Sequence, residues 1–207
     1  MQTHNCIQKS KEWFDLKKQY PFSASKAQAI ATAGVGLETI VDEALIALFS
    51  VGEKKMFTNE HLERGNELEE QARQMYELET GYAVGTVGFV TDTKYKMAGV
   101  SPDGLVNLDG LVEIKCLSDS VYLKKLYEYS IKKEFTVDPA YEWQMQMQLL
   151  FTDREWCDHV LYNPNFKKNI LIQRVYKSAL MRQKIITGLE VASYKFQAKE
   201  YLLNNII

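Results

Sequence analysis

Three side chains within one short stretch could do chemistry together: Asp103, Glu113 and Lys115, in the run GVSPDGLVNLDGLVEIK at residues 99–115. Asp103 sits in a Ser-Pro-Asp-Gly turn, and ten residues later Leu-Val-Glu-Ile-Lys reads as an apolar strand carrying one carboxylate and one ammonium. Turn, strand, turn, strand is a β-hairpin pattern. Side chains alternate along a strand, so Glu113 and Lys115 share one face while Val112 and Ile114 share the other. Buried charges on an apolar strand are costly unless paired, and a hard divalent cation between the two carboxylates is one way to pair them. A turn cap at Asp103 with a surface ion pair between Glu113 and Lys115 satisfies the same pattern.

The chain that must hold these groups has 207 residues, 46% of them hydrophobic, which suffices for one substantial core. One domain is expected over 1–207, with a helical N-terminal part (1–80), a sheet (82–176) and a C-terminal helix (178–207). The net charge of −2 leaves no overall basic footprint, although a local basic channel remains open. Cys6, Cys116 and Cys157 are scattered and outside CxxC spacing, which argues against a disulfide framework or an iron–sulfur site. No run approaches the roughly 18 apolar residues of a membrane span, and MQTHNCIQKSKEWFDLKK has no signal-peptide core, so a cytoplasmic protein is expected.

Around the hairpin, Trp13, Phe14 and Leu16 mark a short helix or turn ended by Tyr20-Pro21. Ser23-Ala24-Ser25 reads as a helix cap or an anion-holding helix start, followed by a helix from Lys26 to Ala33. Residues 37–50 form a core-facing helix with Ile40, Val41, Ala44, Leu45 and Leu48 inward, and 59–79 form a longer one. There Glu69 borders the apolar stripe beside Leu68 and Ala72, and pattern alone makes it a surface glutamate. Strands are expected at 82–90 and 95–100. After the hairpin come a lysine- and tyrosine-rich amphipathic segment at 121–133, a helix at 140–152, strands at 156–162 and 169–175, and a closing helix over the sheet. In the 140–152 helix, Gln144 and Gln148 share a face with Tyr141 near it.

Helices, strands bearing Asp, Glu and Lys, a glutamine helix, two more strands and a helix make an α/β fold, a central mixed β-sheet flanked by helices. Pro102-Asp103 followed by Glu113-Ile114-Lys115 matches the signature of the PD-(D/E)XK nuclease superfamily. Phosphodiester hydrolysis needs a nucleophile from water and neutralisation of an extra-charged transition state, and a hard cation on carboxylates supplies both. On that resemblance Asp103, Glu113 and the Ile114 carbonyl would hold Mg2+, with Mn2+ a possible substitute and one or two ions per site. Lys115 would orient water or stabilise developing charge.

More narrowly, the chain resembles the bacteriophage lambda exonuclease family, the YqaJ-type viral recombinases, in an ordered series of motifs. These are Trp13, Ser23-Ala24-Ser25, Arg64-Gly65-Asn66-Glu67-Leu68-Glu69 with Ala72-Arg73, Thr80-Gly81, Ser101 to Leu105, Leu111 to Cys116, Tyr141 to Gln146, and Tyr162-Asn163-Pro164. The resemblance adds Glu69 to the acidic site, places Gln144 and Tyr141 by the catalytic water or lysine, and assigns Ser25 to a 5′-phosphate. Lys17 falls nearest the family's phosphate-binding arginine, one residue further from Ser25, and a lysine lacks bidentate geometry.

The family further implies a ring-shaped homotrimer that threads double-stranded DNA ends and digests one strand 5′ to 3′ to mononucleotides. The remaining 3′ overhang would pass to a single-strand annealing protein. Lys124, Lys125, Lys132 and Lys133 are channel candidates. A sequence- or structure-specific DNA endonuclease of the same superfamily and a catalytically silent DNA-binding module are the alternatives.

Overall fold

The computed structural model describes residues 1–51 and 60–206, with side chains from residue 67 onward in the helix that begins at Glu60. The strands are β1 (Gln2–His4), β2 (Phe22–Ser23), β3 (Val84–Gly85), β4 (Phe89–Thr91), β5 (Ala98–Val100), β6 (Gly104–Val106), β7 (Gly110–Cys116), β8 (Trp156–Tyr162) and β9 (Ile170–Tyr176). The helices are α1 (Lys11–Gln19), α2 (Ala27–Thr32), α3 (Val35–Phe49), α4 (Glu60–Thr80), α5 (Asp119–Lys132), α6 (Pro139–Thr152) and α7 (Ala179–Asn204), with a 3-10 turn at Ala24–Lys26.

The strands form two mixed sheets. The central one has the order β3-β6-β7-β8-β9, and a second, four-stranded sheet runs β1-β4-β5-β2. The stretch expected as one strand at 82–90 therefore divides between sheets, β3 to the first and β4 to the second. Short strands also arise at β1 and β2, inside the part expected to be helical. Tyr95–Val100 is extended only from Ala98, since Met97 adopts a left-handed φ of 60°.

Strands β7 and β8 are parallel, with Glu113 opposite His159 and Lys115 opposite Leu161. Alternation then sorts the side chains onto two faces. Val112, Ile114 and Val160 pack with Ala72 and Tyr76 of α4, whereas Leu111 and Cys157 pack with Met145 and Leu149 of α6. Each such large apolar side chain removed from water contributes about 1.5–3 kcal/mol. Helix α6 is buried along Met145–Thr152 because its other side faces a second core, where Met147, Leu150 and Phe151 meet α2, α3 and α7.

Helix α7 packs chiefly on α2, α3 and α6 rather than lying over the sheet. The close contact rests on Gly188, where an added Cβ would stand 2.1 Å from the Ile30 carbonyl oxygen. Leu48, expected inward, is exposed on the outer side of α3. Ser23-Ala24-Ser25 is no side-chain cap: Ser23 makes no capping hydrogen bond, and the chain tightens into the 3-10 turn before α2 begins at Ala27. The serine hydroxyls instead meet each other at 3.2 Å.

Candidate active site

Glu113 reaches into the sheet face covered by α6 and is 1% exposed. Its carboxylate has partners on both oxygens. Gln144 Nε2 donates to Oε1 at 2.5 Å, Lys115 Nζ donates to the same oxygen at 2.6 Å, and Gln148 Nε2 donates to Oε2 at 2.7 Å. The Lys115 ammonium also stands 4.8 Å from the centre of the Tyr141 ring, a cation–π contact. Burial works against the Lys115 cation, but the charges of Glu113 and Asp103 outweigh it and raise its pKa, so the side chain stays protonated. The alternative of a surface ion pair between Glu113 and Lys115 does not survive this burial.

Asp103 is tied to the same strand, accepting a hydrogen bond from the Ile114 amide at 2.7 Å. Its carboxyl is pushed well above the usual carboxylate range, first by burial, then by the charges of Glu113 and Glu69. Glycine follows it for a steric reason, since a Cβ at Gly104 would meet Val84 at 2.1 Å and Val112 at 2.9 Å. Two long-range contacts hold this region. Gln8 Nε2 donates to the carbonyls of Val87 and Pro102, both at 2.8 Å, and Arg154 Nη1 bonds the carbonyls of Val106, Asn107 and Gly110 around the β6–β7 turn.

Glu69, which pattern alone made a surface residue, lines a cleft of about 540 Å³ together with Asp103, Gln8, Lys9 and Arg73. Lys9 pairs with it at 2.9 Å and Arg73 approaches it at 3.7 Å. Arg64, Gly65 and Asn66 of the same motif lie outside the residues whose side chains are described. Cys116, on the opposite face of β7 from Glu113, has its thiol raised to about 11 by burial and by the charges of Glu69 and Asp103, so it stays protonated at neutral pH.

Ser25 and Lys17 lie elsewhere, in a second concavity of about 460 Å³ lined also by Ser23 and Lys26. Lys17 Nζ sits 4.4 Å over the Trp13 ring, and its pKa is lowered by burial and by the Lys26 charge. Trp13 Nε1 in turn donates to Ser101 Oγ at 2.7 Å, two residues before Asp103. One contact chain thus runs from the second concavity to the acidic cluster. Of the lysines considered for a DNA channel, Lys125 and Lys132 are engaged by Glu128.

Among the described residues, no group of three or more His, Cys, Asp or Glu side chains is arranged to hold a metal ion by themselves. The donor set still suits a cation of the magnesium type. Such an ion takes one or two carboxylates, keeps several waters and uses substrate phosphate oxygens for the rest. Burial first and then the charges of Glu113 and Glu69 disfavour the ionised Asp103, and a cation between Asp103 and Glu113 would offset both.

The profile of the YqaJ-like viral recombinase domain matches residues 12–155. The chain belongs to that family. Solved structures agree with the fold: LHK-Exo, an alkaline exonuclease from Laribacter hongkongensis, superposes with a TM-score of 0.81 at 27% identity, covering 95% of this chain and 98% of its own. Its complex with dAMP gives a TM-score of 0.82 at 28% identity, with the same coverage. A phage-related exonuclease from Haemophilus somnus 129PT shares the fold at 17% identity and a TM-score of 0.62, over 87% of this chain and 96% of its own. No curated protein matches the chain by sequence.

Several site residues carry no signal in the motif. Gln8, Lys9 and Arg154 act through contacts far apart in sequence, which no local pattern encodes. Gln148 had a signal, its four-residue spacing from Gln144, but one shared helix face does not say what that face meets.

Proposed function

We propose that this YqaJ-family protein is a metal-dependent deoxyribonuclease that digests one strand of linear double-stranded DNA from its 5′ end to mononucleotides. The observation that carries the reading is the Glu113 carboxylate, buried and held by Lys115, Gln144 and Gln148, with Asp103 joined to the next residue's amide. Membership in a viral recombinase family and 28% identity to an exonuclease crystallised with dAMP support it.

In this reading Asp103 and Glu113, with the Ile114 carbonyl and Glu69 completing the set, hold Mg2+, one or two ions, and Mn2+ can substitute. The bound ion would supply charge neutralisation at the scissile phosphate and acidify water. Lys115, kept cationic by its two carboxylate neighbours, offers a proton donor and positive charge beside the attacked phosphate. Gln144 fixes Glu113 and leaves its carbonyl to orient water. Tyr141 limits where the Lys115 ammonium can go.

Lys17, Ser25 and the neighbouring Lys26 form the anchor for a terminal 5′-phosphate, with lysine acting as a point charge. Assembly as a homotrimeric ring would let topology supply processivity, so a chain of net charge −2 needs few phosphate contacts per subunit. The 3′ overhang would then serve a single-strand annealing protein in recombination. No helix of the described residues is long and apolar enough to cross a membrane.

The test is incubation with Mg2+ and end-labelled linear duplex, reading polarity and product size together. Mononucleotides released from the 5′ end are expected. Cleavage of closed-circular DNA would replace the exonuclease reading with an endonuclease one, and no Mg2+-dependent digestion at all would leave only the silent DNA-binding module.

A further inference from the structure

Gln148 is wholly buried on the inner side of α6, next to the acidic cluster but outside the PD-(D/E)XK pattern. Its amide nitrogen donates to Glu113 Oε2 at 2.7 Å, the oxygen that neither Lys115 nor Gln144 uses. Its own carbonyl oxygen is buried without a hydrogen-bond partner. A side chain present only to fill the core would not be an amide, because a buried unpaired carbonyl is a cost that methionine or leucine avoids. The orientation is forced as well: an ionised carboxylate only accepts, so the NH2 end must face Glu113 and the orphaned oxygen must face away.

Gln146, two residues earlier, shows what a structural glutamine on this helix looks like. It is also buried, but both ends are satisfied by main chain: Nε2 donates to the Tyr176 carbonyl, and Oε1 accepts from the Ser178 amide, each at 2.8 Å. Gln148 gives up half its hydrogen-bonding capacity to serve one carboxylate oxygen.

We propose that Gln148 is a positioning residue for the metal site, clamping Glu113 from the side opposite Lys115 so that the carboxylate presents one fixed orientation to a divalent cation. This rests on the nuclease reading for its consequence in catalysis, but the clamp itself concerns cation binding. Side chains that hold a ligating carboxylate from behind typically change metal affinity or activity by 10–100-fold when removed.

The experiment compares wild-type protein with Gln148→Met and Gln146→Met, titrating Mn2+ alone by calorimetry and then measuring digestion of linear duplex with Mg2+. Expected for Gln148→Met is a Kd for Mn2+ raised about 10-fold or more and a kcat lowered to match, with KM for duplex ends within about twofold. Gln146→Met should lose thermal stability yet keep both within about twofold. Should Gln148→Met not fold, the side-chain amide protons of Gln148 in the wild-type NMR spectrum should shift on Mg2+ addition. Unchanged Mn2+ affinity in folded Gln148→Met, or unmoved Gln148 amide signals, overturns the proposal. Mn2+ binding that weakens in the variant while wild-type protein digests no DNA upholds the clamp and rejects the nuclease reading; wild-type protein that binds no Mn2+ rejects both.

Discussion

The Ile114 amide donates to Asp103 Oδ2 over 2.7 Å, so the strand that carries Glu113 and Lys115 is tied to the turn that carries Asp103. The two carboxylates cannot drift apart to relieve their repulsion. An isosteric change should therefore cost function more than fold. Glu113→Gln is expected to lower kcat on linear duplex by about 100-fold or more with the circular dichroism spectrum unchanged. Lys115→Ala should do likewise, and Mg2+-dependent digestion retained in either variant would reject the assignment.

The second concavity makes a separable prediction, because Lys17 and Ser25 contact none of the acidic side chains. Wild-type protein should degrade 5′-phosphorylated ends about tenfold faster than 5′-hydroxyl ends, the worth of one charge-assisted contact of about 1.4 kcal/mol. Lys17→Ala with Ser25→Ala should remove the preference by slowing only the phosphorylated substrate. Equal rates on both ends in the wild-type protein would take the phosphate-anchor role away from this concavity.

His159 predicts a pH effect on stability. It is 1% exposed, neither ring nitrogen has a hydrogen-bond partner, and the rings of Phe135 and Tyr141 meet it edge-on at 5.7 and 5.6 Å. Burial first, then the charges of Lys115 and Lys125, lower its pKa to about 3. The unfolded chain takes up this proton near pH 6.5 and the folded chain only near 3, so stability is whole above 6.5 and falls as the pH drops through that window. The slope is at most about 1.4 kcal/mol per pH unit from this group. Urea melts between pH 7 and 4.5 should be flatter for His159→Phe than for wild type, and parallel slopes would refute this.

Asp158 tests the opposite face of the sheet. It accepts from Tyr76 Oη at 2.8 Å and from Arg174 Nε and Nη2 at 2.8 and 2.9 Å, while the Arg174 guanidinium stacks 3.5 Å over Trp156. Tyr76 lies two helical turns beyond Glu69 on α4, so this network sets the helix that carries Glu69. Asp158→Ala leaves a half-buried guanidinium unpaired and should destabilise by about 3 kcal/mol in urea. A loss under about 1 kcal/mol would mean the ion pair is balanced by its desolvation.

At Gly188 two effects oppose each other. Alanine is favoured over glycine within a helix by about 1 kcal/mol, but its Cβ would stand 2.1 Å from the Ile30 carbonyl oxygen. Overlap with rigid main chain costs about 1–3 kcal/mol or more, so Gly188→Ala should lower the thermal midpoint. A rise would show that α7 can shift from α2 without penalty.

The sequence by itself determined Asp103, Glu113 and Lys115 as a unit, because all three belong to one hairpin and strand alternation places the last two on one face. It also determined helices α3, α4, α6 and α7 within a few residues, since their apolar periods are long, and it marked α5 only as an amphipathic segment. Ordered motifs then singled out Glu69 and Gln144, which pattern alone left as a surface glutamate and one half of a helix face. Only the tertiary structure decided that 82–90 divides between two sheets, that Ser23 and Ser25 face each other instead of capping a helix, and that Gln148 closes on Glu113. The division of 82–90 and the closure of Gln148 on Glu113 depend on which surface is met after the chain has closed over a long stretch, 35 residues in the case of Gln148 and Glu113. A local pattern fixes the direction of a side chain from its own backbone; the partner waiting there is set by packing.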